Sequence, residues 1–314
     1  MGYHPRIESS EYASLLTTRS RNSELWFVNN PALEQAILGY AAKFSQRYDI
    51  KLYALAIQGN HIQAPAHFPK ANRANFMRDF NSAVAKAVDR YTAEYPGGRF
   101  WGRRYSSEFL PNAEDIEKFF FYTVLQPIKD GLVERLSDYP GYNCFHDAAW
   151  GITRKFKVTN WAAYNEALRS DKSAKIKDFT EVVELKYERL PGYEHLPQKE
   201  YAKLLNEKLE KHRTVIVNER KEKGLGFVGK ERLLKVKRGA LPKNTKTSTL
   251  TSHRPRILCI CPTTRKQLKA WYFAIYFSYK KASKRFREGD LTINFPPGTF
   301  RPSFRPPEPS LLAN

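Results

Sequence analysis

Cysteine is scarce: Cys144, Cys259 and Cys261 are the only thiols in 314 residues. Three are too few for a disulfide framework, and the Cys-Ile-Cys spacing is tighter than an ordinary zinc knuckle, so buried thiols are expected. No uninterrupted apolar run approaches the roughly 18 residues that a membrane span requires. The opening MGYHPRIESSEYA has no apolar h-region, which points to a cytoplasmic protein. No internal repeat is visible. Acidic residues are level between the halves, 16 in each, but the basic ones are not: 17 in residues 1–150 and 36 in residues 151–314.

That imbalance is the strongest compositional signal. Residues 1–150 carry a net charge of +1 and residues 151–314 a net charge of +20, out of +21 for the whole chain. So lopsided an excess of Lys and Arg is the footprint of a polyanionic partner, with nucleic acid the first candidate, because neutralising phosphates releases counterions. Charge alone names no function, since basic solvated surfaces are common. With 41% hydrophobic and 14% aromatic residues, the chain has the means to build a packed core, which excludes wholesale disorder.

The first half reads as α+β. Tyr12–Ser20 is β-prone, and Pro31 opens a helical pattern where its missing N–H costs nothing. Lys51–Gln58 and His61–Phe68 are strand-like runs separated by Gly59-Asn60, a hairpin signal resting on residues that tolerate positive φ. Asn72–Tyr95 has helical spacing, ended by Pro-Gly-Gly at 96–98. Phe100–Leu110 is aromatic and β-prone. A helix follows from an N-cap near Asn112 to Gln126, where Pro127 stops it. The order implies an antiparallel sheet with packed helices.

The second half reads as mainly helical. Glu181–Lys223 looks helical with a break around Pro191-Gly192 and Pro197, and Thr263–Glu288 is an aromatic-basic helix. Ala240–His253 reads as a linker. From about Phe295 the tail is Pro-rich. The domains expected are 1–150, a catalytic or binding unit, and 151–314, a basic extension.

Three elements of the first half carry chemistry. His61 and Gln63 alternate on a strand, so their side chains share one face about 6.5–7 Å apart and suit a single metal ion. His67 lies too far along for the same ion, and a satisfied strand histidine is the plainer reading of His61. Tyr122 and Gln126 stand at i and i+4 of a helix, one face, although a Tyr after Phe119-Phe120-Phe121 suits a core equally. Trp101-Gly102-Arg103-Arg104-Tyr105 sets two arginines among aromatics, which fits a phosphate-and-base surface or a strand rim.

Taken together, Asn60-His61-Ile62-Gln63, Trp101 to Tyr105, Tyr122-Thr-Val-Leu-Gln126-Pro127, Gly131 and Tyr139-Pro140 resemble a known pattern. It is that of the insertion-sequence 200/605 type of tyrosine transposase, most closely the REP-associated branch within the HUH endonuclease group. The resemblance covers roughly residues 10–145. It implies a ferredoxin-like HUH nuclease domain that cleaves and rejoins single-stranded or hairpin DNA of a mobile element, commonly as a homodimer. Tyr122 would be the nucleophile, forming a 5′-phosphotyrosine, and His61, Gln63 and Gln126 would hold Mg²⁺ or Mn²⁺. The pattern's second histidine is Gln63 here, a neutral oxygen ligand that hard cations accept. That departure keeps open an inactive, DNA-binding descendant. A nucleoid-associated, cytoplasmic place would follow.

The extension has no counterpart in that pattern. Its basic clusters supply further candidate DNA contacts: Lys235, Lys237, Arg238, Arg254, Arg256, Arg265 and Lys266. The aromatics of the last helix, Trp271, Phe273, Tyr276 and Tyr279, read as an apolar packing face with the charges opposite.

Overall fold

The computed structural model describes residues 5–242 and 257–302. The linker expected at 240–253 lies almost wholly outside the described residues, as do Arg254, Arg256 and the end of the Pro-rich tail.

The elements run β1 (Ala13–Arg19), α1 (Pro31–Tyr48), β2 (Lys51–Leu52), β3 (Ala56–Gln58), β4 (His61–His67), α2 (Arg73–Tyr91), β5 (Ser106–Leu110), α3 (Ala113–Val124) and α4 (Gln126–Lys129). Then come α5 (Phe145–Trp150), β6 (Arg154–Thr159), α6 (Trp161–Ser170), β7 (Thr180–Leu185), α7 (Gln198–Glu222), α8 (Lys230–Leu234) and α9 (Pro262–Arg287). The main sheet is antiparallel in the order β2-β4-β1-β5, with β3 also pairing with β4. It is the antiparallel sheet with packed helices that the residue patterns imply.

Side chains alternate across that sheet. One face of β1 and β4 presents Leu16, Ile62, Ala64 and Ala66 to Phe76, Met77 and Phe80 of α2 and to α1, forming the dry core. The other face presents Thr17, Arg19, His61 and Gln63, with Thr17 opposite Gln63 and Arg19 opposite His61. Over it lie α3 and α4.

Several local expectations are corrected. The hairpin between β3 and β4 turns at Gly59-Asn60, yet neither residue has positive φ. Gly59 sits closely against side chains instead: a Cβ there would lie 2.9 Å from Leu25 Cδ2, which would have to move aside. The strand expected at 100–110 begins only at Ser106, and Trp101 makes just an isolated bridge to Ser20. Glu181–Leu185 is strand, not helix: it pairs with β6 in a two-stranded sheet packed on α1. Alternation puts Val183 and Leu185 into the core while Glu181, Val182 and Glu184 are exposed, and tertiary burial of that stripe overrides helical propensity. Cys144 and Cys259 are buried thiols, as expected, but Cys261 is exposed.

Packing continues across residue 150. Phe156, Val158, Leu185, Tyr201, Leu205 and Leu209 belong to the same buried cluster as Leu33, Ile37 and Phe120. Helix α7 braces α3 from behind: Lys208 Nζ lies 2.5 Å from Glu117 Oε1, and the His212 ring sits 5.0 Å from that of Phe121. A smaller second cluster joins Ile7, Phe109 and Ile257 to Leu268 and Tyr272 of α9. No helix among the described residues is long and apolar enough to cross a membrane.

Candidate active site and nucleic-acid interface

Pro127 decides the local backbone. It has no N–H to continue the α3 ladder, so the helix breaks at Leu125 and restarts as α4, whose first turn tolerates proline. Pro127 therefore redirects the helix where a stop was expected. The break separates the fates of Tyr122 and Gln126. Gln126 turns into the sheet and is 7% exposed, whereas Tyr122 stays half-buried, with Lys129 Nζ 4.4 Å from its ring centroid.

Beneath Gln126 the polar groups form a connected set. Gln126 Nε2 lies 2.7 Å from His61 Nε2, and His61 Nδ1 lies 2.8 Å from Asn60 Oδ1. Asn60 is fixed by two further bonds, accepting from Arg19 Nη1 at 3.0 Å and donating through Nδ2 to Ser23 O at 3.0 Å. Its Oδ1 can only accept, so His61 carries its proton on Nδ1 and keeps the Nε2 lone pair for the centre. Gln63 donates to Thr17 Oγ1 at 3.2 Å. Its Oε1 is held loosely, because the Thr123 hydroxyl 3.4 Å away is already spent on Phe119 O at 2.7 Å. The Gln126 Oε1 is buried with no hydrogen-bond partner.

The electrostatics follow from burial. His61 is pulled down to about 3, first by desolvation and then by the Arg19 charge, with the Gln126 bond opposing. The imidazole is therefore neutral at any physiological pH. The Tyr122 phenol is pushed up, mainly by burial and then by the Asp130 and Glu108 carboxylates, while Arg19 pulls it back. Arg19 is thus the common neighbour of Asn60, His61 and Tyr122.

Whether this set suits a hard cation turns on its donors. Among the described residues no cluster of three or more His, Cys, Asp or Glu side chains could hold a metal ion. An ion here would rest on two amide oxygens, one orphaned and one loosely held, and on the His61 Nε2 lone pair, which it would have to take from the Gln126 amide N–H. The Gln126 oxygen, one of ten buried side-chain atoms without a hydrogen-bond partner among the described residues, has a lone pair free for a cation. The set fits such an ion, weakly, because it brings no negative charge and stands beside Arg19.

The remaining candidates divide. Arg103 and Arg104 are exposed and Trp101 and Tyr105 half-buried, all in the loop before β5. Lys235, Lys237, Arg265 and Lys266 are exposed. Arg238 is engaged within the protein, by Glu94 at 2.9 Å and Asn29 O at 3.0 Å. His67 lies at the far end of β4, its Nε2 2.7 Å from Ser10 O. Sequence reasoning gave no role to Arg19, Asn60, Thr17 or Thr123. Only Asn60 had a cue, its place in the turn; the others become visible once the β1–β4 register is known.

No family model and no curated protein matches the sequence. Among solved structures, the chain is similar to a REP-associated tyrosine transposase bound to a REP hairpin. The identity is 19%, over 46% of this chain and 84% of that one, with a TM-score of 0.39. A likeness of this depth assigns no residue role, and the roles below rest on the geometry of this chain.

Proposed function

We propose that the protein is a transposase-like, metal-assisted endonuclease and strand-transferase of single-stranded or hairpin DNA, with Tyr122 as nucleophile. The observation that carries this reading is the meeting of His61, Gln63 and Gln126 beneath the α3–α4 break, with Tyr122 and Arg19 at its rim. His61 Nε2 and the Gln126 and Gln63 amide oxygens would hold Mg²⁺ or Mn²⁺, and that ion, when bound, would polarise the scissile phosphate as a Lewis acid.

The chain's own groups do the rest. The Arg19 guanidinium attracts the phosphodiester and steadies charge that builds on its oxygens. The Tyr122 oxygen attacks phosphorus, the P–O3′ bond breaks, and the phenolic proton ends on the departing 3′-oxygen. The product is a 5′-phosphotyrosine and a free 3′-hydroxyl. Because the ester bond energy is retained, a second 3′-hydroxyl can reverse the step and join strands without ATP. A raised phenol pKa means that Tyr122 is not ionised at rest, so its proton leaves only as the oxygen attacks.

A second reading is a binding protein of the same fold that holds nucleic acid without cutting it. The bond by which Gln126 Nε2 occupies the His61 Nε2 lone pair, and that from Gln63 Nε2 to Thr17 Oγ1, favour it.

Incubation of the full chain with Mn²⁺ and labelled single-stranded hairpin oligonucleotides, resolved on a denaturing gel, tests the proposal. A covalent protein–DNA band that disappears with EDTA and with Tyr122→Phe is expected. Oligonucleotides that are bound without any covalent adduct would leave the binding reading in its place.

A further inference from the structure

Some arginines of this protein are paired with carboxylates. Arg154 lies 2.5 Å from Asp147, Arg238 2.9 Å from Glu94 and Arg285 2.6 Å from Asp290. Others are not, and several of these gather in one place. A cleft of about 630 Å³ is lined by Arg78, which is paired with Asp79 at 2.7 Å, and by five more arginines, Arg6, Arg99, Arg103, Arg104 and Arg301. Among the described residues no carboxylate lies within 4.0 Å of any of these five guanidiniums. Gathering like charges in one concavity is unfavourable unless an anion joins them, and the low-dielectric walls focus the field.

The cleft is assembled from three remote parts of the chain, and each is tied down. Arg6 lies over the Tyr105 ring at 3.8 Å and donates to Tyr105 O. Residue 5 is held by the Tyr272 hydroxyl of α9, 3.0 Å from Pro5 O. The 295–302 segment is pinned by Glu8 N donating to Gly298 O at 2.9 Å. Gly298 has φ +73°, and a Cβ there would lie 2.2 Å from Glu8 O, so only glycine permits this approach. Tyr279 of α9 and the half-exposed Phe300 add aromatic wall. The loop carrying Arg103 is in turn bonded to the His61 side of the sheet, through Gly102 N to Arg19 O at 3.1 Å, and Arg103 and Arg19 repel one another. Positive charge therefore runs from the His61 centre round the sheet end into the cleft. Burial above all pulls Arg6 down to about 10, with Tyr105 opposing and the Arg104 and Arg73 charges adding smaller shares.

We infer that this cleft is a second nucleic-acid site, which holds the phosphodiester backbone of a single-stranded segment and stacks an unpaired base on its aromatic wall. The chemistry fits: guanidiniums bind phosphate oxygens bidentately, and an aromatic face takes any base. A duplex buries its base faces and has no use for such a wall. The inference deepens the proposed function by making the C-terminal segment part of substrate binding, and it needs no cleavage chemistry.

Fluorescence anisotropy of a 5′-fluorescein dT12 oligonucleotide with the full chain tests it. Arg104→Ala/Arg301→Ala should weaken binding by about tenfold or more at 0.1 M salt. It should also flatten the slope of log K against log salt by about 1.4, or roughly 0.7 for each phosphate no longer neutralised. Arg104→Lys/Arg301→Lys should recover part of the affinity and the slope, a rescue that a purely structural role would not give. Affinity and slope unaltered in the double alanine variant would overturn the inference, as would a 12-base-pair duplex that competes as well as unlabelled dT12. The two proposals fail separately. A covalent adduct with cleft-independent dT12 binding sinks the cleft alone, whereas cleft-dependent binding without any adduct sinks the nuclease alone.

Discussion

The amide nitrogen of Gln126 sits 2.7 Å from His61 Nε2, joining the start of α4 to the first residue of β4 across 65 positions of sequence. The bond orients the imidazole lone pair and leaves the Gln126 oxygen buried without a partner. It is both a tertiary tie and the heart of the candidate metal site.

Gln126→Ala should therefore reduce stability and ion binding together. It leaves His61 Nε2 buried without a donor, which costs about 1–3 kcal/mol. Urea unfolding should show a lowered midpoint, and Mn²⁺ should no longer protect the variant against unfolding. Protection equal to that of the unsubstituted chain would exclude Gln126 as a ligand.

Stability should fall with acid in a window set by His61. Its folded value is about 3 against an ordinary 6.5, so below pH 6.5 the unfolded chain takes up a proton that the native chain refuses. The contribution is fully present above pH 6.5. It erodes as pH falls toward 3, by at most about 1.4 kcal/mol per unit. His61→Gln, compared by urea unfolding at pH 7 and pH 5, should show a shallower decline than the unsubstituted chain.

Arg19→Ala should raise the titration of two groups at once. Without the guanidinium, His61 is freed of a repelling charge and titrates higher, while the Tyr122 phenol is deprived of an attracting one and also titrates higher. Nuclear magnetic resonance of the imidazole and ultraviolet titration of the phenol, taken against Tyr122→Phe, read the two shifts. If neither group moves, Arg19 is not their common neighbour in solution.

Tyr122→Phe should leave the fold intact. The side chain is only half-buried and its ring contacts, to Phe119 and Lys129, survive removal of the hydroxyl. The expected change in stability is within about 0.5 kcal/mol, with complete disappearance of any covalent DNA adduct on a denaturing gel.

Much of the fold was legible because its cues are local. The Pro31 start of α1, the β3–β4 hairpin, the Asn112 start of α3 and the long α9 are written in caps, turns and periodicity. β7 was not legible, because Thr180–Leu185 becomes strand only through burial of Val183 and Leu185 beside β6. The Pro127 break was half legible: proline announces a disturbance, but whether a helix stops or turns depends on what the next turn packs against.

The site divides in the same way. Alternation on one strand already placed His61 beside Gln63, and composition already placed the positive charge in the second half, since both depend on neighbours in the chain or on counting. Tertiary structure decided the rest. The register of β1 against β4 brought Arg19 and Thr17 to the same face, and the α3–α4 break aimed Gln126 at His61. Packing of residues 5–8 and 298–302 against one another closed an arginine cleft from both ends of the described chain. Such meetings depend on surfaces far apart in sequence, and no local preference encodes a contact whose partner is two hundred residues away.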